Sequence, residues 1–310
     1  MPSYNLEGIF LCTYIMYKKE DSIVFHNGEF INANNVLINP YSQSLHYGNG
    51  IFEGIRSYKT ANGARIFKAS EHYERLCYGA KAMHIPVNYS VEELVEITYS
   101  LLKKNNFEDA YIRPLLTTGA DMSLLSSKES FLTIQCWEWG KYMGDKLLKV
   151  KTSQYQRPNP KSCIVDAKVT GHYTNSILAT NEAKNAGYDE ALLLDMNGYV
   201  AECSGANVFI EKNNVLYTPP KGNIMPGITR QTVMDICKEE GIEVIEKYFT
   251  LGELKKADSA FFTGTAAEVV GLQSIDDYHF TKKWETTHGY NLMHLYKNEV
   301  LETRTTKTTL

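Results

Sequence analysis

The chain has no C-x-x-C pair: its six cysteines stand apart at positions 12, 77, 136, 163, 203 and 237 of 310 residues. Scattered cysteines in a chain of this length fit a reducing compartment, so a cytoplasmic protein is expected. The eight histidines show no ligand spacing such as H-E-x-x-H, and no metal site is expected. There is no basic excess. The net charge of -4 leaves no positive field for nucleic acid or anionic lipid. There is no long hydrophobic run either. Ile9 to Met16 is the only apolar stretch near the start, too short to span a bilayer. Glu7 precedes it where a signal peptide carries basic residues, so neither a membrane anchor nor a leader is expected. Low-complexity segments and short repeats are also missing.

What remains is an ordinary globular composition, 43% hydrophobic and 22% charged. The length suits two domains. Residues 1–20 read as an extension, 21–138 as a small N-terminal domain, 139–147 as a connecting loop and 148–310 as a larger C-terminal domain. The loop is placed at Trp139-Gly140-Lys141-Tyr142-Met143-Gly144, whose glycines break the strand pattern before it.

Asn27-Gly28 between apolar segments predicts a hairpin. Glycines 48, 50 and 54 beside Tyr47 and Phe52 fit a backbone wrapped around a ligand, or a plain glycine-rich loop. Glu71 to Met83 is helical by pattern and carries Arg75. Ser90 and Glu93 form a capping box before a second helix. Tyr111 to Leu115 reads as a strand whose period of two puts Tyr111 and Arg113 on one face. That pair suits a carboxylate; Pro114 equally suits an edge strand. A meander follows in the second half, with tight turns at Asn197-Gly198 and Asn213-Asn214.

Four places carry possible chemistry. Cys163 to Val169 reads as an apolar strand end turning at Gly171 into a helix with Ile177, Leu178 and Ala183. Lys168 sits within it among small and apolar neighbours. A lysine in an apolar setting has a lowered pKa and becomes an amine able to form a Schiff base. Glu202 ends a strand among small residues, where a carboxylate can approach a ring closely. Pro226-Gly227-Ile228-Thr229 opens a helix, and its free N–H groups suit a phosphate as well as an ordinary cap. Gly264-Thr265-Ala266 is a small-residue turn after a strand, with the same two readings.

Taken together these segments resemble the class IV, fold-type IV aminotransferases that use pyridoxal 5'-phosphate (PLP), and most of all the branched-chain amino acid aminotransferases. The resemblance rests on L-H-Y-G with F-E-G-I-R, H-Y-E-R-L, A-Y-I-R-P-L, D-A-K-V-T-G-H-Y, N-G-Y-V-A-E-C-S-G-A-N-V-F, M-P-G-I-T-R and T-G-T-A-A-E, in family order over about residues 22–275. It implies an α+β chain: a smaller N-terminal domain and a larger C-terminal domain of barrel-like mixed sheet. It implies Lys168 as the Schiff-base lysine, Tyr173 on the cofactor's ring oxygen and Glu202 on its ring nitrogen. Arg75, Ile228, Thr229 and Thr265 match the phosphate cup, and Met225 stands where a leucine often packs on the ring. Thr265 and Ala266, with Tyr111, match the site of the substrate α-carboxylate. Phe52, Gly54, Tyr142 and Tyr47 match the side-chain pocket, Tyr47 reaching in from the second subunit of a homodimer or larger oligomer. Arg113 is placed to meet the distal carboxylate of glutamate.

The implied activity exchanges amino groups between leucine, isoleucine or valine and 2-oxoglutarate. Cys203 and Ala206 depart from a glycine and a glutamate common in the bacterial pattern. D-amino acid aminotransferases and aminodeoxychorismate lyases share the lysine, acid and cup. The D-specific enzymes typically carry arginine-x-histidine where this chain has Arg113-Pro114-Leu115. A noncatalytic scaffold of the same fold is disfavoured by the intact Lys168, Tyr173 and Glu202.

Overall fold

A computed structural model describes residue 17, residues 19–140 and residues 146–304. Its first half is a sheet backed by helices. The hairpin β1 (Ile23–His26) and β2 (Glu29–Asn32) turns at Asn27 and Gly28, both at positive φ (48° and 105°), as the Asn-Gly pair requires. A short helix α1 (Gln43–Tyr47) leads to β3 (Gly50–Phe52), β4 (Ile55–Thr60) and β5 (Gly63–Ile66). Helices α2 (Ala69–Ala82) and α3 (Val91–Lys104) follow, the second with the expected Ser90/Glu93 capping box. Then come β6 (Ala110–Thr118) and β7 (Ser130–Trp137). Leu76 and Ala80 of α2 and Leu94 and Leu101 of α3 pack on Ile55, Ile112 and Ile134 of the sheet. The stripes at i, i+4 and i+7 decide which helix faces are buried.

Strand β6 is not at an edge. It lies between β7 on one side and β3 and β4 on the other. Pro114 is tolerated there because it falls at the break between β3 and β4. Its lack of an N–H costs no ladder bond on that side, and its carbonyl accepts from Glu53 N at 2.9 Å.

The second half contains β8 (Leu148–Gln156), α4 (Tyr173–Asn185), β9 (Glu190–Leu194), β10 (Val200–Cys203), β11 (Asn207–Lys212) and β12 (Val215–Thr218). It continues with α5 (Ile228–Glu240), β13 (Val244–Glu246), α6 (Leu251–Leu254), β14 (Ser259–Gly264), β15 (Glu268–Ile275), β16 (Tyr278–His279) and α7 (His288–Val300). Strands β10, β9, β8, β15, β14 and β11 run in that order and close through the β10–β11 pair, making a six-stranded barrel. Along β11, Val208 and Ile210 enter the barrel core while Phe209 faces out under α5 and α7, where it stacks on Phe261 at 5.0 Å. Both faces of the strand are thus covered, and its run of apolar residues is continuous rather than alternating.

One expectation for the Lys168 segment does not hold. Residues 163–168 form turns, not a strand; only Val169 makes a single bridge, to Ile51. The apolar side chains are buried all the same, because Ala167 and Val169 plug into the core of the first sheet. In α4, Ile177 and Leu178 are exposed, and the inner face is Ser176, Ala179 and Ala183. Small residues there let the helix lie close over β8 and β9.

Candidate active site

Of the three parallel strand pairs in the barrel half, β8–β9 and β12–β13 join strands consecutive in the chain through a crossover. Those two crossovers, residues 157–189 and 219–243, carry Lys168 and the Met225–Thr229 segment. The topology therefore sets Lys168 and the Met225–Thr229 segment on connections, while Glu202 and Asn207 stand on the strands β10 and β11.

The Lys168 loop is fastened to the other half of the chain. Lys168 O accepts from Phe52 N at 3.1 Å, and Gly48 O accepts from Gly171 N at 3.1 Å and Thr170 Oγ1 at 2.7 Å. The Lys168 side chain donates from Nζ to Tyr173 Oη at 2.7 Å. It lies over the Phe52 and Tyr173 rings, 5.3 and 5.1 Å from their centroids. Two aromatic faces and one phenol thus fix the amine.

Glu202, on β10, is 4% exposed. Asn207 Nδ2, opposite it on β11, donates to Oε2 at 2.8 Å, and Met225 N donates to the carboxylate at 3.1 Å. Arg157 Nε stands 2.8 Å from Oε1. Burial pushes the Glu202 carboxyl above its ordinary range, and Arg157 and the Met225 amide pull against that rise. An acid so placed has a strong claim on any proton offered by a ligand ring. The neighbouring Cys203 thiol is also buried, and burial with the nearby Glu190 holds it well above the ordinary thiol range. It stays a thiol and acts only as a small apolar wall.

Gly227 caps α5 in an extended conformation (φ -68°, ψ 134°), leaving the amides of Ile228 and Thr229 at the open end of the helix. A Cβ at Gly227 would stand 2.0 Å from Asn207 Oδ1, so this turn admits only glycine. Arg75 reaches the turn from α2: Nη1 donates to Pro226 O at 3.0 Å, while Nε and Nη2 donate to Glu53 at 2.7 and 2.8 Å. Glu53 is fully buried and also meets His72 Nδ1 at 2.8 Å. Burial would raise its carboxyl, but the Arg75 guanidinium outweighs burial and holds it far below the usual carboxylate range. Burial likewise pushes the His72 imidazole down. The turn at Thr265 closes the cup from β14, with Gly264 held close to Ala206.

Arg75, Arg157, Lys168, Tyr173, Glu202, Met225, Ile228, Thr229 and Thr265 line one cavity. Ala266 belongs to the same turn as Thr265 but not to that lining. Beyond Phe52 lies a second group. Arg113 stacks on the Phe52 ring at 4.7 Å and donates from Nη2 to Tyr111 Oη at 2.9 Å, as their shared strand face requires. Gly54 admits the Tyr111 phenol: a Cβ there would meet its oxygen at 2.1 Å. Tyr47 is not brought to the cavity of its own chain; it is 47% exposed and donates to Met122 O at 3.2 Å. Tyr142 lies outside the described residues.

Sequence reasoning missed Arg157, Asn207 and Glu53 as parts of the site. Asn207 and Glu53 stood inside quoted motifs. Arg157 had no local signal beyond the irregular Arg157-Pro158-Asn159-Pro160, because its partner lies across a crossover.

The donor set fits PLP. An amine bonded to a phenol, a buried acid and an arginine beside a helix N-terminus line a single cavity. Thr263 Oγ1, on the same wall, is buried without a protein partner. Each feature answers a different part of a phosphorylated hydroxypyridine aldehyde.

Comparison with known proteins agrees. The class IV amino-transferase family model matches residues 50–275. A branched-chain-amino-acid aminotransferase of Pseudomonas aeruginosa is 41% identical over 262 residues, covering 83% of this chain and 85% of its own. The crystal structure of a branched-chain aminotransferase from the thermophilic archaeon Thermoproteus uzoniensis, solved with norvaline, superposes with a TM-score of 0.88. It is 35% identical, over 91% of this chain and 95% of that one. The T.th. branched-chain amino acid aminotransferase complexed with N-(5'-phosphopyridoxyl)-L-glutamate gives 0.86 at 35% identity, covering 92% and 96%. With the matched model spanning well over half of its length, the chain belongs to the class IV aminotransferases, the fold-type IV enzymes that use pyridoxal phosphate.

Proposed function

We propose that the protein transfers the amino group of leucine, isoleucine or valine to 2-oxoglutarate, giving branched-chain 2-oxo acids and L-glutamate. The observation that carries the reading is that the Lys168 amine and the Arg113 guanidinium share the Phe52 ring, 5.3 and 4.7 Å from its centroid. An aliphatic side chain meets the aromatic wall, and a longer acidic one reaches the guanidinium against it. When bound, PLP supplies the electron sink that stabilises charge left at the substrate Cα.

Lys168 Nζ anchors the cofactor and moves the proton at the substrate Cα; Tyr173 Oη, 2.7 Å away, sets its direction. Glu202 holds a proton on the ring nitrogen, with Asn207 and Arg157 fixing the carboxylate. Met225 packs on the ring. Arg75, Ile228, Thr229 and Thr265 bind the phosphate. The Thr265 and Ala266 amides and the Tyr111 phenol orient the α-carboxylate, and Phe52, Gly54 and Tyr142 shape the side-chain pocket. Residues 139–147 connect the two domains.

The working form is a homodimer or a larger assembly, with Tyr47 entering the partner's pocket. Its support is the exposed apolar face around Tyr47: Leu37, Ile38, Tyr41, Leu45, Leu124 and Leu125 are all more than half exposed. A groove of about 680 Å³ runs through the same face, lined by Leu37, Ile38 and Tyr41 among others. None of the helices formed by the described residues is long and apolar enough to cross a membrane, and we place the enzyme in the cytoplasm.

A substrate panel tests the reading: leucine, isoleucine, valine, D-alanine and aminodeoxychorismate, each with 2-oxoglutarate where needed. Turnover confined to the three branched-chain L-amino acids is expected. Turnover of D-alanine or the chorismate alone overturns it.

A further inference from the structure

Strands β6 and β7 bring four side chains to one face. Tyr111 pairs with Trp137 and Arg113 with Gln135. Arg113, Gln135, Trp137 and Trp139 border a cavity of about 360 Å³. None of the described residues at its edge carries a carboxylate. Trp137 is only 9% exposed, and its Nε1 is buried with no hydrogen-bond partner; Arg113 Nε on the facing strand is in the same state. The Trp137 ring packs on Tyr111 at 5.1 Å and on Trp139 at 5.8 Å. The indole adds a donor that stays unanswered among the described residues, and a buried N–H without an acceptor is costly.

We infer that Trp137 is a specificity-determining residue: its indole N–H, beside Arg113, receives the distal carboxylate of the dicarboxylic acceptor. This rests on the proposed transamination. Arg113, at the edge of this cavity, and the Lys168 amine lie against the same Phe52 ring, 4.7 and 5.3 Å from its centroid. Leucine, isoleucine and valine have no acceptor to offer there. The indole therefore favours the dicarboxylate without helping the aliphatic partners, which is how one pocket serves two unlike side chains.

The test is Trp137→Phe holoenzyme, which keeps an aromatic ring and removes the N–H together with part of the indole's bulk. The two half-reactions are measured separately, leucine on the PLP form and 2-oxoglutarate on the pyridoxamine form, with the cofactor absorption band confirming an intact site. The ratio of kcat/KM for 2-oxoglutarate to that for leucine is expected to fall about ten-fold, chiefly through KM. A ratio within about two-fold of wild type overturns the inference, since a purely structural role moves both half-reactions together. Wild-type protein inactive with leucine and 2-oxoglutarate would instead sink the underlying reading.

Discussion

Gly48 and Gly171 touch backbone to backbone. Gly171 N donates to Gly48 O at 3.1 Å, and a Cβ on Gly48 would stand 2.6 Å from Gly171 Cα. Gly48 is also left-handed, at φ +68°. This contact ties the loop that follows α1 to the loop that carries Lys168. Gly48→Ala is expected to cost about 1–2 kcal/mol for the left-handed conformation alone, with the clash added to it. Urea unfolding of the holoenzyme measures the loss, and a wild-type midpoint would show that the loops do not depend on the contact.

Lys168→Ala removes both the anchor and the proton carrier. Loss of a general base alone lowers rates on the order of 100- to 10,000-fold, and this variant is expected to lose more. Borohydride treatment of the wild type followed by peptide mapping places the label on Lys168. Near-normal turnover of the variant, or a label on another lysine, contradicts the assignment.

Arg113→Leu is expected to weaken the 2-oxoglutarate half-reaction by about ten-fold or more, the size of a lost hydrogen bond to a charged group. The leucine half-reaction falls much less. Equal losses in single-turnover measurements would rule out a division of labour between Phe52 and Arg113.

Acid should destabilise the fold in two steps with the same sign. His72 is held below its ordinary value of 6.5 in the native state, so the unfolded chain takes a proton first and stability declines as pH drops through that value. Glu53 is held far below 4.5, so its contribution is complete above that pH and is lost progressively below it. Urea midpoints from pH 7.5 down to about 2.5 trace both steps. Glu53→Gln is expected to be less stable at neutral pH and to flatten the lower limb; a limb parallel to wild type would remove Glu53 from the account.

Much of the first sheet was readable before any coordinates, because its signals are local. The Asn27-Gly28 turn, the Ser90/Glu93 capping box and the shared face of Tyr111 and Arg113 each follow from a few adjacent residues. Local signals misled where burial came from distant chain. Ala167 and Val169 looked like a strand because they are apolar, yet what buries them is the core of the other sheet. Pro114 suggested an edge, and only the gap between β3 and β4 explains its place in the middle.

For the site the division is similar. The residue order alone was enough to name the kinds of group available: one lysine with a tyrosine five residues on, a buried-type acid, a helix start and an arginine on a helix. Quoted in order, those segments also identified the family. It took the folded chain to establish that Arg157 and Asn207 brace Glu202, that Glu53 and His72 hold Arg75, and that Trp137 presents an unanswered donor beside Arg113. Each of these pairs joins residues from separate elements, and their contact is set by barrel closure, crossover path and strand register. Such long-range geometry has no periodic trace in the chain, whereas caps, turns and alternating faces do.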